Sequence, residues 1–490
     1  MDYNGIKALV MGLGLHGGGL ETARFLLKRG ADVTITDLRG EETLMPSINE
    51  LEKTGGKPAR YILGRHDIED FKKADIVIKN PGVRPDSEFL QAARHIETDL
   101  SLFLRHVSST ARIFAVTGTK GKSFTATALY AILSAERKTG AAYLGGNITV
   151  SPLTFLDEIT KDDDVVLELS SFQLGDIKGR VDSYGSSLLK PKAAVITPIM
   201  RDHLDRYASM EEYVDDKKNI YRGQDSGDIT IAGDDEWGKN FRDETRGRFL
   251  VCSNSPLGEG ISGGWIDAGG RGFARLYDRD SAVNTGGETV CLVPENLKTR
   301  GYHQRYNMLS AALASYALGI SEWTIQNALA SFPGIEHRLE LFHEIKSGRG
   351  GNAVIKFYND TAATIPEAAA ACVEVLSKES GLILVTGGTD KNLDFSPLVE
   401  AAKKTKGVIL LAGTGSEKLK RLLTEAGVSF NGPFDNLDKA VIRAIELVKT
   451  SKRADSALSV ALSPGCASFG MFQNEFDRGR KWKEAVLRLS

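Results

Sequence analysis

The sequence predicts three α/β domains in series. Three observations carry that prediction. A glycine-rich loop lies between a strand-like and a helix-like segment near the N-terminus, a second such loop occurs at residues 118–123, and strand–helix alternation resumes after about residue 335. At 490 residues the chain is also too long for a single core, and about three domains is the ordinary outcome at that length.

In the first block Lys7-Ala-Leu-Val-Met reads as a strand, Gly12-x-Gly14-x-x-Gly17 as a turn, and the segment through Arg29 as a helix. Asp32-Val-Thr-Ile-Thr is a second strand that ends at Asp37. An acidic residue some 20 positions beyond such glycines is the fingerprint of a dinucleotide-type fold. It speaks more strongly for the fold than for a nicotinamide ligand. Ala74-Asp-Ile-Val-Ile-Lys then runs into the turn Asn80-Pro-Gly, and no second domain of dehydrogenase character follows.

The second block runs from about Ser108 to Gly334. Its strand Ile113-Phe-Ala-Val-Thr stops at Gly118, and Gly121, Lys122 and Ser123 lead into an Ala/Leu-rich helix. That order builds a phosphate cradle: backbone N–H groups converge on an anion, the helix N-terminus adds its dipole, Lys122 a charge, and Ser123 a hydroxyl for Mg²⁺. Val116 occupies the position of the usual first glycine, so the loop is shorter than the common form. Asp164-Val-Val-Leu-Glu-Leu and Lys192-Ala-Ala-Val-Ile-Thr are further buried strands, and residues 254–300 read as a small antiparallel appendage with glycine turns. A helix over Met308–Leu318 closes the block. In the third block Val354-Ile-Lys-Phe-Tyr, Leu382-Ile-Leu-Val-Thr, Val408-Ile-Leu-Leu-Ala and Leu458-Ser-Val-Ala-Leu are strands separated by amphipathic helices.

Composition narrows the function classes. A net charge of −2 with interspersed signs argues against a nucleic-acid or membrane-surface partner. The four cysteines (Cys252, Cys291, Cys372, Cys466) are scattered, without zinc-type or disulfide spacing. No apolar run approaches the ~18 residues of a membrane span, and the polar N-terminus does not read as a signal peptide. A soluble cytoplasmic protein is expected, with a monomer as the default.

Open α/β sheets place their sites at strand ends. Glu168 ends one strand of the second block and is followed by Leu-Ser-Ser-Phe-Gln; a carboxylate there suits Mg²⁺, although a surface ion pair is the plain alternative. The next strand leads to Asp202-His203-Leu-Asp-Arg-Tyr207. His203 is one of eight histidines and lies in a charged loop, as a metal ligand or a hydrogen-bonding group.

These segments carry a resemblance. T-G-T-K-G-K-S, E-L-S-S-F-Q, and D-H-L-D-R-Y with Tyr213-x-x-x-Lys217 belong to it, as do Asn359-Asp-Thr-Ala-Ala-Thr, Gly387-Gly-Thr-Asp-Lys and Leu462-Ser-Pro-Gly-Cys-Ala-Ser-Phe. Together, and in order along the whole chain, they resemble the Mur ligases, in particular the type that adds D-glutamate to UDP-N-acetylmuramoyl-L-alanine in peptidoglycan precursor synthesis.

The resemblance implies a Rossmann-like UDP-binding domain (1–107), a central P-loop ATPase domain with a small antiparallel sheet (108–334), and a C-terminal Rossmann-like domain (335–490) for the amino acid. It implies ATP and two Mg²⁺ ions. Ser123 and Glu168 would hold one ion, and His203 with a lysine carbamate formed from CO₂ on Lys217 the other, with Lys218 as the neighbouring alternative. Lys122, His203 and Lys217 would be catalytic. ATP would meet Gly118, Thr119, Lys120, Gly121, Lys122, Ser123 and Phe124, then Gln304 and Asn307, then Arg338 on the γ-phosphate and Asp360 on the ribose. A domain-closing motion is implied, because these groups come from different domains. The UDP-substrate would meet Gly14, Leu15, His16, Asp37, Leu38, Arg39, Asn80, Pro81, Gly82 and Asn147, and the amino acid Thr364, Lys391 and Ser468.

There are departures from the family pattern. Gln304 replaces an asparagine, and Ala362 stands where a lysine is expected. Gly470 stands in place of an acidic residue, and Glu475 displaces a phenylalanine to Phe476. The last three bear on which amino acid is used. A ligase of the same fold using L-glutamate, or a folylpolyglutamate-type substrate, is the first alternative. A nicotinamide oxidoreductase would leave the P-loop and residues 335–490 unexplained. A binding protein without catalysis has no need of the two-metal residue set.

Overall fold

The computed structural model describes residues 2–15, 17–107, 110–136, 140–148, 150–203, 206–277, 287–299, 302–346, 354–390, 393–450, 458–468 and 470–489. Among these the strands form three sheets. The chain divides into two compact units, the first comprising Met1–Glu295 with His303–Leu329 and the second Asn296–Tyr302 with Ala330–Ser490.

The first unit holds two sheets. In one, β1 (Lys7–Met11), β2 (Asp32–Asp37), β3 (Arg60–Leu63), β4 (Ile76–Lys79) and β5 (Ile96–Glu97) are ordered β3-β2-β1-β4-β5, all parallel. The other contains β6 (Arg112–Thr117), β7 (Ala142–Gly146), β8 (Asp164–Glu168), β9 (Ala193–Ile196), β10 (Ile229–Gly233), β11 (Arg248–Ser253), β12 (Gly263–Ile266), β13 (Gly272–Arg275) and β14 (Thr289–Val293). Their order is β14-β13-β12-β11-β10-β9-β6-β8-β7. The central strand β6 is buried on both faces, with Phe114, Ala115 and Val116 at 0% exposure, which is why it reads as a continuous apolar run. The expected antiparallel appendage is not a separate body. β12 pairs in parallel with β11, so the antiparallel ladders β12–β13 and β13–β14 extend the main sheet. Glycine content marked these turns, but pairing partners leave no trace in local sequence.

The two sheets of the first unit share one apolar core, which joins Val10, Leu26 and Leu104 to Ala115, Leu167 and Ile196. Buried ion pairs reinforce the seam. Lys79 at the end of β4 meets Asp176 at 2.6 Å, with side-chain exposures of 3% and 8%. Glu97 accepts from Arg105 at 2.9 Å and from Arg180 at 2.8 Å.

The second unit carries β15 (Glu340–Lys346), β16 (Val354–Asn359), β17 (Gly381–Thr386), β18 (Gly407–Leu411), β19 (Phe430–Phe434) and β20 (Leu458–Leu462), ordered β15-β16-β20-β17-β18-β19. Only the β15–β16 pair is antiparallel. Helices cover both faces, giving the separate apolar clusters around Leu384 and Val385. No helix among the described residues is long and apolar enough to cross a membrane.

Candidate active site

Four neighbouring strands of the nine-stranded sheet deliver the central residues to one edge. β6 lies between β8 and β9, and β7 flanks β8. Register places Val116 beside Glu168 and Gly146 beside Glu168, so the chain leaves these strands as the 118–123 loop, the segment after Glu168, and the Gly146-Asn147 turn. This is the carboxyl-end crevice where such sheets take ligands.

The 118–123 loop requires its glycines. Gly118 has φ +139°, and a Cβ there would lie 2.0 Å from Thr197 Oγ1; Gly121 has φ +90°, and its Cβ would lie 2.4 Å from Asn307 Oδ1. Asn307, on the helix Tyr302–Ala317, is therefore packed directly on the loop, and its own amide donates to Gln304 Oε1 at 3.1 Å. Thr119 is pinned from both sides: its N–H donates to Pro198 O at 3.0 Å and its hydroxyl meets Tyr213 OH at 3.0 Å. Lys122 Nζ donates to Thr119 O at 3.0 Å. Lys122 and Ser123 open the helix Lys122–Ala135, Phe124 is buried beneath it, and Lys120 is exposed.

Lys217 comes from the helix Met210–Lys218, whose start is capped by the Ser209 side chain. It is 1% exposed, and its amine donates to Gly118 O at 2.8 Å and lies 4.6 Å from the centre of the Tyr213 ring. Burial pushes its pKa down from 10.5 to about 7, aided by the Lys122 cation and opposed by Asp202, Asp216 and Glu168. Lys218 points elsewhere, pairing with Glu244 at 2.5 Å.

Glu168 is 2% exposed. Its Oε1 accepts from Asn147 Nδ2 at 3.1 Å, while Oε2 is buried with no hydrogen-bond partner. A carboxylate oxygen without a donor costs several kcal/mol unless a cation meets it. Glu168 Oε2 therefore fits a hard divalent ion. His203 has φ +54°, is 45% exposed at its side chain, and lies 5.0 Å from the Phe172 ring. As an amine, Lys217 donates hydrogen bonds and offers a cation no anionic ligand. Any divalent ion at His203 and Lys217 would find an anionic ligand only with that lysine carbamylated.

On the β1–β5 sheet, Asp37 holds the glycine loop. Its oxygens accept from Gly14 N at 3.1 Å and Arg39 N at 2.9 Å, leaving Leu15 and Leu38 exposed at 45% and 68%. His16 lies outside the described residues. In the turn after β4, Asn80 Oδ1 accepts from Gly82 N at 3.0 Å. Arg206 donates to Pro81 O, Gly82 O and Val83 O at 3.2, 3.0 and 3.1 Å.

In the second unit Arg338 is exposed between two non-glycine residues of positive φ, His337 at +69° and Leu339 at +47°. Each left-handed residue costs about 1–3 kcal/mol, and such strain persists where hydrogen bonds over-determine it. Here Glu340 Oε2 accepts from His337 N at 2.9 Å and Asp360 Oδ1 accepts from Leu339 N at 3.0 Å. Asp360 Oδ2 accepts from Ser463 Oγ at 2.6 Å, and burial pushes its carboxyl up to about 6. Oδ1 thus holds the strained turn, while Oδ2 is engaged by Ser463. Thr364 and Ser468 lie on loops that follow the adjacent strands β16 and β20, linked by Gly465 N to Ala363 O at 2.8 Å. Lys391 lies outside the described residues. Sequence reasoning missed Arg478, which is 1% exposed and ties Thr361 Oγ1 (2.9 Å) and Thr361 O (3.0 Å) to Cys466 O (3.2 Å). It also assigned nothing to Arg206, although the arginine stood within the D-H-L-D-R-Y segment.

The fold and this strand-end cradle define a P-loop α/β enzyme. Two family models match: the Mur ligase middle domain over residues 116–315, which include the cradle, and the MurD-like N-terminal domain of Mur ligases over residues 6–100. A protein of Roseiflexus sp. strain RS-1 named UDP-N-acetylmuramoylalanine–D-glutamate ligase is 39% identical over 498 residues, covering 99% of each chain. One of the same name from Treponema pallidum is 38% identical, covering 98% of this chain and 97% of its own. The chain belongs to the Mur ligase family, and it is an ATP-dependent ligase that forms an amide bond. Among solved structures, the UDP-N-acetylmuramate-alanine ligase MurC of Thermotoga maritima matches with TM-score 0.56 at 19% identity, over 99% of this chain and 100% of its own. MurF of Acinetobacter baumannii matches with TM-score 0.55 at 17% identity, over 99% and 94%. At those identities the likeness speaks to fold.

Proposed function

We propose that this enzyme adds D-glutamate to UDP-N-acetylmuramoyl-L-alanine in the cytoplasm, as a monomer, with residues 1–107, 108–334 and 335–490 as its UDP-substrate, ATP and amino-acid domains. The single observation that carries the reading is the strand-end cluster in which the 118–123 loop, Asn307, partnerless Glu168 Oε2 and buried Lys217 converge. The names of the full-length relatives support the choice of substrates.

The chemistry follows from charge. A carboxylate and an amine at neutral pH form a salt, so the carboxylate oxygen must first become a leaving group. The substrate carboxylate attacks the γ-phosphorus of ATP, the bond to ADP breaks, and an acyl phosphate results. The amine of the amino acid then attacks the acyl carbon, loses a proton, and expels inorganic phosphate. Repulsion between the γ-phosphoryl group and the carboxylate dominates the barrier, so preorganised positive charge is the main aid. Lys122 and the backbone N–H groups at the start of its helix supply part of it. Mg²⁺ at Ser123 and Glu168, and at His203 and carbamylated Lys217, would supply the rest by neutralising phosphate oxygens. Asn147, fixed by Glu168, orients the substrate side. Thr364, Lys391 and Ser468 receive the amino acid, and Arg338 and Asp360 serve the nucleotide.

The test is ATP-dependent phosphate release with UDP-N-acetylmuramoyl-L-alanine against D-glutamate, L-glutamate and other amino acids, with the product mass confirmed. Product with D-glutamate alone is the expected result. Product only with another amine would move specificity to the pocket altered at Ala362 and Gly470. No phosphate release with any amine, bicarbonate included, would overturn the reading.

A further inference from the structure

Arg206 joins three segments that lie far apart in sequence. Its guanidinium donates to three consecutive carbonyls, Pro81 O, Gly82 O and Val83 O, at 3.0–3.2 Å. The same guanidinium stacks 3.8 Å from the centre of the Phe172 ring, in the segment that follows Glu168. Its backbone N–H donates to His203 O at 3.0 Å, which ties it to a residue in the left-handed conformation. Phe172 is in turn 5.0 Å from the His203 ring and stacked at 5.9 Å with Tyr207. The hydroxyl of Tyr207 donates to Asp216 Oδ2 at 3.0 Å, next to Lys217. One half-buried arginine therefore spans the substrate-side turn, the carboxylate strand end and the His203 loop.

The clamp is rigid for a physical reason. A planar guanidinium fixes several acceptors in one geometry, which an ammonium on a flexible stem does not. The turn it grips has no freedom to swing independently, because β4 just before it is anchored by the buried Lys79–Asp176 pair. All of these residues belong to the first compact unit.

We infer that Arg206 is a positioning residue for the ligation reaction: it sets the Asn80-Pro81-Gly82 turn and the His203 turn relative to each other. Binding of the UDP-substrate at the first turn is thereby coupled to the geometry of the second. The inference rests on the substrate assignment above.

The test uses the full chain with Arg206→Met and Arg206→Lys. Calorimetric binding of UDP-N-acetylmuramoyl-L-alanine without Mg²⁺ or ATP, and the KM for each substrate, are measured beside thermal unfolding. Arg206→Met is expected to weaken UDP-substrate binding and raise its KM by about tenfold or more, with the KM for ATP within about twofold. Arg206→Lys should recover part of the loss, since one ammonium can meet only some of the three carbonyls. Unchanged UDP-substrate binding in a folded Arg206→Met protein would overturn the inference. So would a uniform loss across all substrates that tracks a falling unfolding temperature in both variants. Failure of the substrate assignment is distinct: the unaltered enzyme itself would then not bind or turn over the UDP-substrate.

Discussion

Replacing Lys217 with methionine should make the protein more stable at acidic pH and less stable at alkaline pH. In the unfolded chain this amine titrates near its ordinary 10.5, whereas burial and Lys122 bring it to about 7 in the folded state. Between those values the unfolded chain binds more protons, so the lysine's contribution to stability rises with pH across the window from about 7 to 10.5. Below the window the full penalty of burying or discharging the amine is present; above it the penalty is gone. Its size at about pH 6 is on the order of 4 kcal/mol. Against it stands the hydrogen bond to Gly118 O, whose loss leaves a buried carbonyl unmet at a cost of about 1–3 kcal/mol. Lys217→Met therefore gains about 1–3 kcal/mol near pH 6 and loses about 0–2 kcal/mol near pH 10, where about 1 kcal/mol of the penalty remains.

The assay is thermal unfolding of both proteins in CO₂-free, chelator-treated buffer at several pH values. A stability difference that does not change sign across that range would refute the reasoning. The same environment predicts reactivity. At pH 7 about half of such an amine is neutral, against about 0.03% for an ordinary lysine. Carbamylation by ¹³C-labelled bicarbonate in the presence of Mg²⁺ should be seen by NMR in the unaltered protein and vanish in Lys217→Met.

Three further outcomes are expected. Gly121→Ala would force a side chain onto Asn307 Oδ1 at positive φ, and should weaken ATP binding by about tenfold or more while calorimetry finds UDP-substrate binding unchanged. Glu168→Gln keeps the contact to Asn147 but removes the anionic oxygen; turnover should fall by about 10²-fold or more at any Mg²⁺ concentration, with an unfolding temperature close to that of the parent. Lys122→Gln removes a cation that lowers the Lys217 pKa, so carbamylation at neutral pH should decrease, which the same ¹³C signal measures.

What the sequence made legible was local. Strand–turn–helix order predicted the cradle because Gly118 and Gly121 adopt conformations that other residues resist. The choice between Lys217 and Lys218 was not legible, since both stand in one charged helix. Packing separates them, one amine under the loop and the other on Glu244. The role of Arg206 was hidden because its three acceptors are backbone carbonyls more than 120 positions away, and carbonyls carry no residue identity. Asp360 was expected on the ribose; its engagement with Leu339 N and Ser463 Oγ, which makes it a brace for the strained turn around Arg338, was not legible. Pairing of β12 with β11 was invisible for the same reason: ladder partners are chosen by tertiary packing.

The charge arrangement at the cradle also bears on the proposed carbamate. With Lys217 as an ammonium, burial and then the Lys122 cation lower its pKa, against the opposing carboxylates of Asp202, Asp216 and Glu168. The interaction that disfavours a positive Lys217 favours a negative one in its place, because reversing the sign of one charge reverses the sign of the Coulomb energy. A carbamate would carry that negative charge and add two oxygen acceptors beside Glu168, whose Oε2 already lacks a partner. Glu168, acidic from the outset, opposes the lowering of the Lys217 pKa and would repel the carbamate. Divalent cations held by these residues would offset that repulsion, so a carbamate and metal ions would each be stabilised by the presence of the other. Neither is expected to persist alone, and a lysine that is half neutral at pH 7 allows both to be acquired together.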